Sequence, residues 1–327
     1  MDAYIYVVNA VDVGFVKDKA DQILSENMRF YSGSKETVAK IVAAVIAGGH
    51  ILIEDKPGVG KTFLAKVMAK TLGLSFSRIQ FTPDLLPSDI IGTKMWRAAE
   101  GKFEVMLGPV FSNFVLADEI NRAPPKTQAA LLEAMEELQV TIEGETHQLP
   151  KPFTVMATQN PIEFEGTYPL PEAQMDRFML KISLGYPSEE LEKQLLDRRV
   201  EWRTDDPTAF AKPIVTDKEL LQMRDFVEAE VAVDPDVMGY ILSFRKIRDD
   251  ERVIAGPSPR ALISLLRMSR AMAVMDGRDY VIPDDVKEVA TEVLGHRVVL
   301  KPEIALEGNV SGASVVKEYL AEIPVPK

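Results

Sequence analysis

A lysine and a threonine, Lys61 and Thr62, stand directly after a loop rich in glycine, a spacing typical of phosphate binding. Inward-facing N–H groups of such a loop and the dipole of the following helix hold phosphate oxygens. The lysine neutralises the β/γ charge, and the threonine hydroxyl binds Mg²⁺. The residues predicted to surround the nucleotide phosphates are Pro57, Gly58, Val59, Gly60, Lys61, Thr62 and Phe63.

Two adjacent acids, Asp118 and Glu119, follow a short apolar run that is typical of a buried strand. In parallel sheets, ligands bind at the carboxyl ends of the strands. There Asp118 can hold Mg²⁺, directly or through water, and Glu119 can orient or deprotonate the attacking water. The chain has no N-K-x-D tetrad for guanine. We therefore predict ATP and Mg²⁺ as cofactors, with Thr62 and Asp118 as the metal ligands.

One position departs from the phosphate-loop pattern, because Asp55 stands where the pattern has its first glycine. Aspartate tolerates left-handed backbone better than most residues. We expect the turn to form with the carboxylate pointing away from the phosphates. A further polar residue, Asn160, follows the predicted strand 153–157 and would lie beside the γ-phosphate if that strand neighbours the other two.

Strands and helices alternate in the first half of the chain, which predicts an α/β fold with a parallel sheet of about five strands and helices on both faces. The predicted strands are 51–53, 76–81, 114–117, 153–157 and 179–184, and the main predicted helices are 17–28, 35–47, 61–72 and 124–139. Two β-hairpins are expected near 94–107 and 140–149. We place this nucleotide-binding domain at residues 17–186 and leave residues 1–16 as an unassigned extension.

Beyond Gly185 the composition changes, and no segment carries a strand pattern of comparable strength. We predict a smaller, all-helical lid domain over residues 187–327. Its expected helices are 189–202, 217–230, 235–248, 259–276 and 283–296.

The overall charge narrows the classes of partner. A net charge of −12 with an isoelectric point near 4.9 argues against a broad nucleic-acid surface. The chain has no cysteine, which excludes disulfides and thiolate metal sites and fits a cytoplasmic protein. No apolar run is long enough to span a membrane. The apolar stretch 4–16 has no basic region before it, so we do not expect it to be a signal peptide.

With these motifs in order, the chain resembles the MoxR family of AAA+ ATPases, in the clade that also holds magnesium chelatase. The matching stretches are GGHILIEDKPGVGKT, GPVFSNFVLADEINRAPPKTQAALLEAMEE, VMATQNPIEFEGTYPLPEAQMDRF and GPSPRA. The resemblance implies Walker A residues Lys61 and Thr62, Walker B residues Asp118 and Glu119, sensor 1 at Asn160, an arginine finger at Arg177 and sensor 2 at Arg260. The two hairpins resemble the helix-2 and pre-sensor-1 insertions of that clade.

The resemblance also implies a ring, commonly a hexamer, and a chaperone that matures or remodels partner proteins, often ones with a von Willebrand factor A domain. Where such proteins contact adenine, this chain has Tyr31, Ser32 and Gly33, so we expect Tyr31 to stack on the base. Arg177 follows Asp176, and a local ion pair is its alternative role. Arg260 could act in its own subunit or in a neighbour.

Three other functions compete with a protein-remodelling motor. A nucleic-acid translocase is the first, since the same clade includes helicases, but the acidic chain counts against it. A metal-chelatase motor subunit is the second. A nucleotide-dependent binding switch without turnover is the third, and Glu119 disfavours it.

Overall fold

Five parallel strands form the main sheet of the protein. The computed structural model describes residues 11–98, 100–161, 166–204, 206–306 and 308–326. The strands of the main sheet are β1 (Ile51–Glu54), β2 (Phe76–Gln80), β5 (Phe114–Asp118), β8 (Thr154–Gln159) and β9 (Leu180–Ile182). They lie in the order β2-β5-β8-β1-β9. The predicted parallel sheet of five strands is confirmed, and all carboxyl ends meet at one edge.

Among the described residues, three antiparallel strand pairs stand apart from this sheet. They are β3 (Gly92–Arg97) with β4 (Lys102–Leu107), β6 (Gln139–Ile142) with β7 (Glu145–Gln148), and β10 (Val253–Ala255) with β11 (Val299–Leu300). The first two are the hairpins expected from the sequence. The third was not predicted, because strands of three and two residues are too short to show a period.

Helices cover the sheet and make up most of the C-terminal part of the described chain. They are α1 (Val13–Phe30), α2 (Lys35–Ile46), α3 (Lys61–Thr71), α4 (Pro87–Ile91), α5 (Pro125–Glu137), α6 (Glu172–Met175), α7 (Glu189–Trp202), α8 (Asp217–Ala229), α9 (Pro235–Ser243), α10 (Pro259–Met275), α11 (Pro283–Leu294), α12 (Pro302–Leu306) and α13 (Gly312–Glu322).

Alternation along the strands divides the buried side chains between two apolar cores, because successive residues of a strand point to opposite faces. Ile51 and Ile53 of β1 pack with α1, α2, α3 and the C-terminal helices. Leu52, between them, packs with α5 on the other face. Both faces of the sheet are therefore closed to water. Ligands can reach it at the two edges that the ends of the strands form.

Some helix boundaries differ from the predicted ones. Helix α1 begins at Val13, four residues earlier than predicted, because the Asp12 carboxylate accepts a hydrogen bond of 2.7 Å from the backbone N–H of Phe15. The last four residues of the predicted extension 1–16 are thus helical, and its first ten lie outside the described residues. The predicted helix 235–248 is α-helical only to Ser243 and continues as a 3-10 turn.

The C-terminal part packs directly on the nucleotide-binding part. The chain enters α7 after Gly185 and Pro187, where the sequence predicts a domain boundary. Helices α8, α10 and α11 share one apolar cluster with α1 and α2. The unpredicted helix α13, capped by Ser311, packs on α11. None of the described helices is long and apolar enough to cross a membrane.

Candidate active site

The loop between β1 and α3 has the backbone shape of a phosphate cradle. Gly58 and Gly60 both have φ near +84°, in the left-handed region that glycine adopts without strain. Helix α3 begins directly after Gly60, at Lys61, so its positive N-terminal end points at the loop. The Lys61 ammonium donates to the carbonyl oxygen of Asp55 at 2.6 Å. That bond bridges the two ends of the loop.

The Asp55 carboxylate is bound on two sides: Oδ1 accepts from the N–H of Lys56 in the loop at 2.8 Å, and Oδ2 accepts from the segment after β9. Asp55 is absent from the described non-glycine residues with positive φ, so it has no left-handed backbone. Its carboxylate accepts hydrogen bonds from the backbone N–H groups of Leu184 and Gly185, both at 2.7 Å, and from the Ser183 hydroxyl at 3.0 Å. Burial opposes ionisation, yet these bonds hold the pKa of Asp55 below its ordinary value.

The two acids at the end of β5 are fixed by the neighbouring strand β8. The Thr158 hydroxyl donates to Asp118 Oδ1 at 2.6 Å and accepts from the Glu119 backbone N–H at 2.9 Å. Glu119 has φ near +56°, a conformation that non-glycine residues rarely adopt. This turn separates the two carboxylates, and Thr158 holds both residues in place.

Two side chains of β2 contact the same pair of acids. Arg78 donates to Asp118 Oδ2 from Nε at 3.1 Å and from Nη2 at 2.6 Å. Gln80 donates from its amide to Glu119 Oε2 at 2.8 Å, and Arg122 donates to the same oxygen at 3.1 Å. Each acid thus carries a donor that the sequence analysis did not identify.

The donor set near Thr62 suits a magnesium ion. The Thr62 hydroxyl lies 3.3 Å from Asp118 Oδ2. The described residues contain no group of three or more His, Cys, Asp or Glu side chains that could hold a metal. Mg²⁺ commonly binds through one or two protein oxygens plus substrate phosphates and water. When bound here, it would neutralise phosphate charge between Thr62 and Asp118.

The segment before α2 lies against the phosphate loop. The Tyr31 ring is buried, and it lies so near Gly60 that a Cβ added there would be 3.2 Å from the ring. The Tyr31 hydroxyl donates to the carbonyl of Val59 at 3.4 Å. Burial, with a smaller effect of the Asp55 charge, raises the pKa of Tyr31 to about 12. Gly33 leaves room for this ring, because a Cβ there would overlap it. Ser32 accepts a hydrogen bond from Arg198 of α7 at 3.0 Å.

Most of the predicted site residues surround one cavity of about 360 Å³ at the carboxyl-end edge of the sheet. The cavity is lined by Pro57, Gly58, Gly60, Lys61, Thr62, Phe63, Asp118, Glu119 and Asn160. Val59 is buried beneath Tyr31 instead. The structure therefore brings the predicted phosphate, metal and water-activating residues together.

Arg177 and Arg260 lie elsewhere, at the amino-end edge of the sheet. They line a cavity of about 620 Å³ together with His50, Phe153 and Met179, which immediately precede β1, β8 and β9. Both arginines bind one carboxylate of α5: Glu136 Oε2 is 2.8 Å from Arg177 Nη2, and Glu136 Oε1 is 2.5 Å from Arg260 Nη2. These bonds, that of Arg260 first, lower the pKa of Glu136. The local pair of Arg177 with Asp176 does not form, since Asp176 pairs with Arg297.

Comparisons with known proteins identify this arrangement. A family model described as ATPase family associated with various cellular activities (AAA) matches residues 50–180, and an AAA lid domain model matches residues 245–318. Chaperone MoxR1 of Mycobacterium tuberculosis is 43% identical, over 94% of this chain and 82% of its own length. The chain belongs to the MoxR family of AAA+ ATPases.

Two further proteins are similar to this MoxR-family chain over most of their lengths. The Bacillus subtilis protein YeaC is 45% identical over 91% of this chain and 92% of its own. A crystal structure of a Cytophaga hutchinsonii protein superposes with a TM-score of 0.88 at 42% identity, covering 96% of this chain and 97% of the other. Both matches extend beyond the nucleotide-binding part.

As a member of the MoxR family, the protein is an ATPase. Glu119 is the side chain predicted to act on water. Its carboxylate lines the phosphate cavity, and a carboxylate beside bound phosphates can orient and deprotonate a water molecule. Lys61 and the N-terminus of α3 are placed to bind the phosphates. Asn160, buried at the end of β8, lines the same cavity and can contact the γ-phosphate or the water.

Sequence reasoning missed Arg78, Gln80, Thr158 and Glu136. The first two had a signal in the sequence: Arg-Ile-Gln in a strand puts two long polar side chains on one face, towards its carboxyl end. Gln80 is in register with Asp118, so pairing of β2 with β5 brings it to the acids. Glu136 gave no such signal, because α5 carries several glutamates and only the fold selects one.

Proposed function

We propose that this MoxR-family protein is a Mg²⁺-dependent ATPase that assembles into a ring, as a hexamer, and uses hydrolysis to remodel or mature partner proteins. The observation that carries the proposal is the separation of its candidate catalytic groups. One chain presents the phosphate loop at one edge of the sheet and two arginines at the other. An active site assembled between neighbouring subunits would use both.

Distance supports a shared site. A strand of four residues, such as β1, spans roughly 13 Å. Arg177 and Arg260 lie at the start of the strands, whereas the loop leaves from their ends. Arginines placed this way would serve the nucleotide of an adjacent protomer, where a cation on the developing γ-phosphate charge has its largest effect. Repeated head-to-tail contacts of this kind close into a ring.

The proposal that this chain acts on client proteins rests on the name of a relative and on an exposed apolar surface. One relative is named a chaperone, Chaperone MoxR1. In this chain, the hairpin β3–β4 exposes Trp96 and Phe103, which pack edge to face at 5.0 Å. Exposed apolar side chains grouped in this way fit contact with another protein. We propose partner proteins as clients, including ones with a von Willebrand factor A domain.

Mixing two inactive variants tests the shared site. Lys61→Ala removes the phosphate lysine and Arg177→Ala removes the finger, so each should be nearly inactive alone. Mixed one to one under conditions of subunit exchange, they should recover up to about a quarter of wild-type activity, the fraction of random interfaces joining an intact loop to an intact finger. Subunit exchange is verified with labelled protein. A mixture no more active than its components would refute the shared site.

A further inference from the structure

An arginine binds Asp118, the acidic residue of the predicted metal site. Arg78 of β2 places both Nε and Nη2 on one oxygen of Asp118, Oδ2, at 3.1 and 2.6 Å. The Thr62 hydroxyl approaches the same oxygen at 3.3 Å. The positive charge of Arg78 therefore shares with Thr62 the Asp118 oxygen that the proposed function gives to Mg²⁺.

Asp118 has little capacity left while Arg78 is bound. A carboxylate has about four acceptor positions, roughly two on each oxygen. Oδ1 accepts from Thr158 at 2.6 Å, and Oδ2 already has three donors within 3.3 Å. A magnesium ion bound at Oδ2, the oxygen beside Thr62, or a water bound to that ion, would have to take one of the Oδ2 positions. Because the guanidinium and Mg²⁺ are both positive, they also repel each other at this distance.

Arg78 is able to leave, whereas Asp118 is not. The Arg78 side chain is 46% exposed and the Asp118 side chain 10% exposed. Nη2 of Arg78 also donates to Gln80 Oε1 at 2.6 Å, so an acceptor on the same strand face remains after Asp118 is released.

We propose that Arg78 is a resident counter-cation of Asp118 that Mg²⁺ displaces, and that it thereby sets how strongly nucleotide binding depends on Mg²⁺. The proposal rests on the proposed function in one respect, the assignment of Thr62 and Asp118 to the metal. Without metal, Arg78 neutralises an acid that would otherwise repel the triphosphate. With metal, it is a competitor. Its removal should therefore have opposite effects in the two conditions.

The test measures binding of a fluorescent, non-hydrolysable ATP analogue to the full chain, in EDTA and along a Mg²⁺ titration. Arg78→Gln should bind the analogue roughly three- to tenfold more weakly in EDTA, because Asp118 then stands unneutralised. It should also reach half-saturation at roughly three- to tenfold less Mg²⁺, because nothing has to be displaced. Arg78→Lys, which keeps the charge but loses the two-donor geometry, should lie between.

Arg97→Gln is the matched control, since Arg97 is 50% exposed and pairs with Glu104 on the distant hairpin β3–β4. It should behave as wild type in both conditions. Equal weakening of Arg78→Gln with and without Mg²⁺ would overturn the proposal, because it would place Arg78 on the phosphates. An unchanged Mg²⁺ requirement in both Arg78 variants would also overturn it. If wild-type binding did not respond to Mg²⁺ at all, the metal site and this proposal would fall together.

Discussion

The two edges of the main sheet both carry polar side chains, and they hold them by different means. At the carboxyl-end edge, Lys61 is held by its own loop, and Asp118 and Glu119 are held by side chains of the adjacent strands. At the amino-end edge, Arg177 and Arg260 come from elements more than eighty residues apart. Glu136 of a third element binds both.

This difference separates a complete site from an incomplete one. The carboxyl-end edge already contains a loop for phosphates, oxygens for a metal and a carboxylate for water. At the amino-end edge, Arg177 and Arg260 share one carboxylate, that of Glu136. Changes at the first edge should therefore alter nucleotide binding or the chemical step within one chain. Changes at the second edge should alter turnover only in the assembly.

The largest effect should come from Arg177→Ala. Loss of an arginine finger typically lowers the rate by about 10³ to 10⁵, so turnover should nearly vanish while nucleotide affinity stays within a few-fold. Steady-state ATPase rates and analogue binding measure the two quantities. Lys151→Ala, which lines the same cavity, is the control and should stay near wild type. If Arg177→Ala weakened binding as much as turnover, the two edges would not be functionally distinct.

Glu119→Gln should have the next largest effect, confined to the chemical step. Losing general-base help should slow hydrolysis about 10²-fold or more, with ATP binding retained because glutamine keeps the size of the side chain. Single-turnover hydrolysis and analogue binding measure these. Glu133→Gln, an exposed acid on α5, is the control. Hydrolysis at the wild-type rate in Glu119→Gln would remove Glu119 from the mechanism.

Asp55→Gly should reveal a structural role inside the phosphate edge. The change leaves the N–H groups of Leu184 and Gly185 without their acceptor, which should lower the free energy of unfolding by about 1–3 kcal/mol. Nucleotide affinity should stay within a few-fold. Lys61→Ala should instead lose a charge-assisted contact of roughly 1.5–3 kcal/mol in binding. Urea unfolding and analogue titration measure both. Tenfold tighter ATP binding in Asp55→Gly would mean that the carboxylate faces the phosphates.

The sequence predicted the carboxyl-end edge well because its parts are local. Strand, glycine loop and helix are contiguous from Ile51 to Thr71, and each acid stands at the end of an apolar run. Parallel strand order then places those ends together. Asp55 shows where this reasoning was weak, because its hydrogen-bond donors lie at residues 183–185, far along the chain. That its carboxylate points away from the phosphates stays a prediction, which Asp55→Gly tests.

The amino-end edge could not be predicted in the same way. Arg177 and Arg260 were selected by resemblance to a family, and nothing in their spacing indicates that they share Glu136. Long-range ion pairs depend on helix packing, which leaves no period in the sequence. Helix α13 and the pair β10–β11 were missed for a related reason, because long-range contacts stabilise them more than local sequence patterns do. Helix α13 packs on α11, and β10 and β11 pair with each other.

The one prediction that does not concern nucleotide turnover or binding is a pH dependence of stability at the amino-end edge. His50, which precedes β1, is buried and accepts a hydrogen bond at Nδ1 from the Val155 N–H at 3.0 Å, while Nε2 lies 3.2 Å from the Met135 carbonyl. A ring that accepts at one nitrogen and donates at the other is neutral. Burial lowers its pKa to about 4, with Met135 opposing and the nearby Arg224 and Arg267 adding to the decrease.

The sign of the effect follows from that lowered pKa. Between the ordinary value of about 6.5 and a folded value of about 4, the unfolded chain binds more protons at His50, so stability is full above the upper limit and decreases with falling pH. The slope should reach about 1.4 kcal/mol per pH unit from this residue. Urea unfolding between pH 7.5 and pH 5 should therefore show a shallower slope for His50→Gln than for wild type. Equal slopes would mean that His50 is not held neutral, and that the amino-end edge does not depend on it in this range.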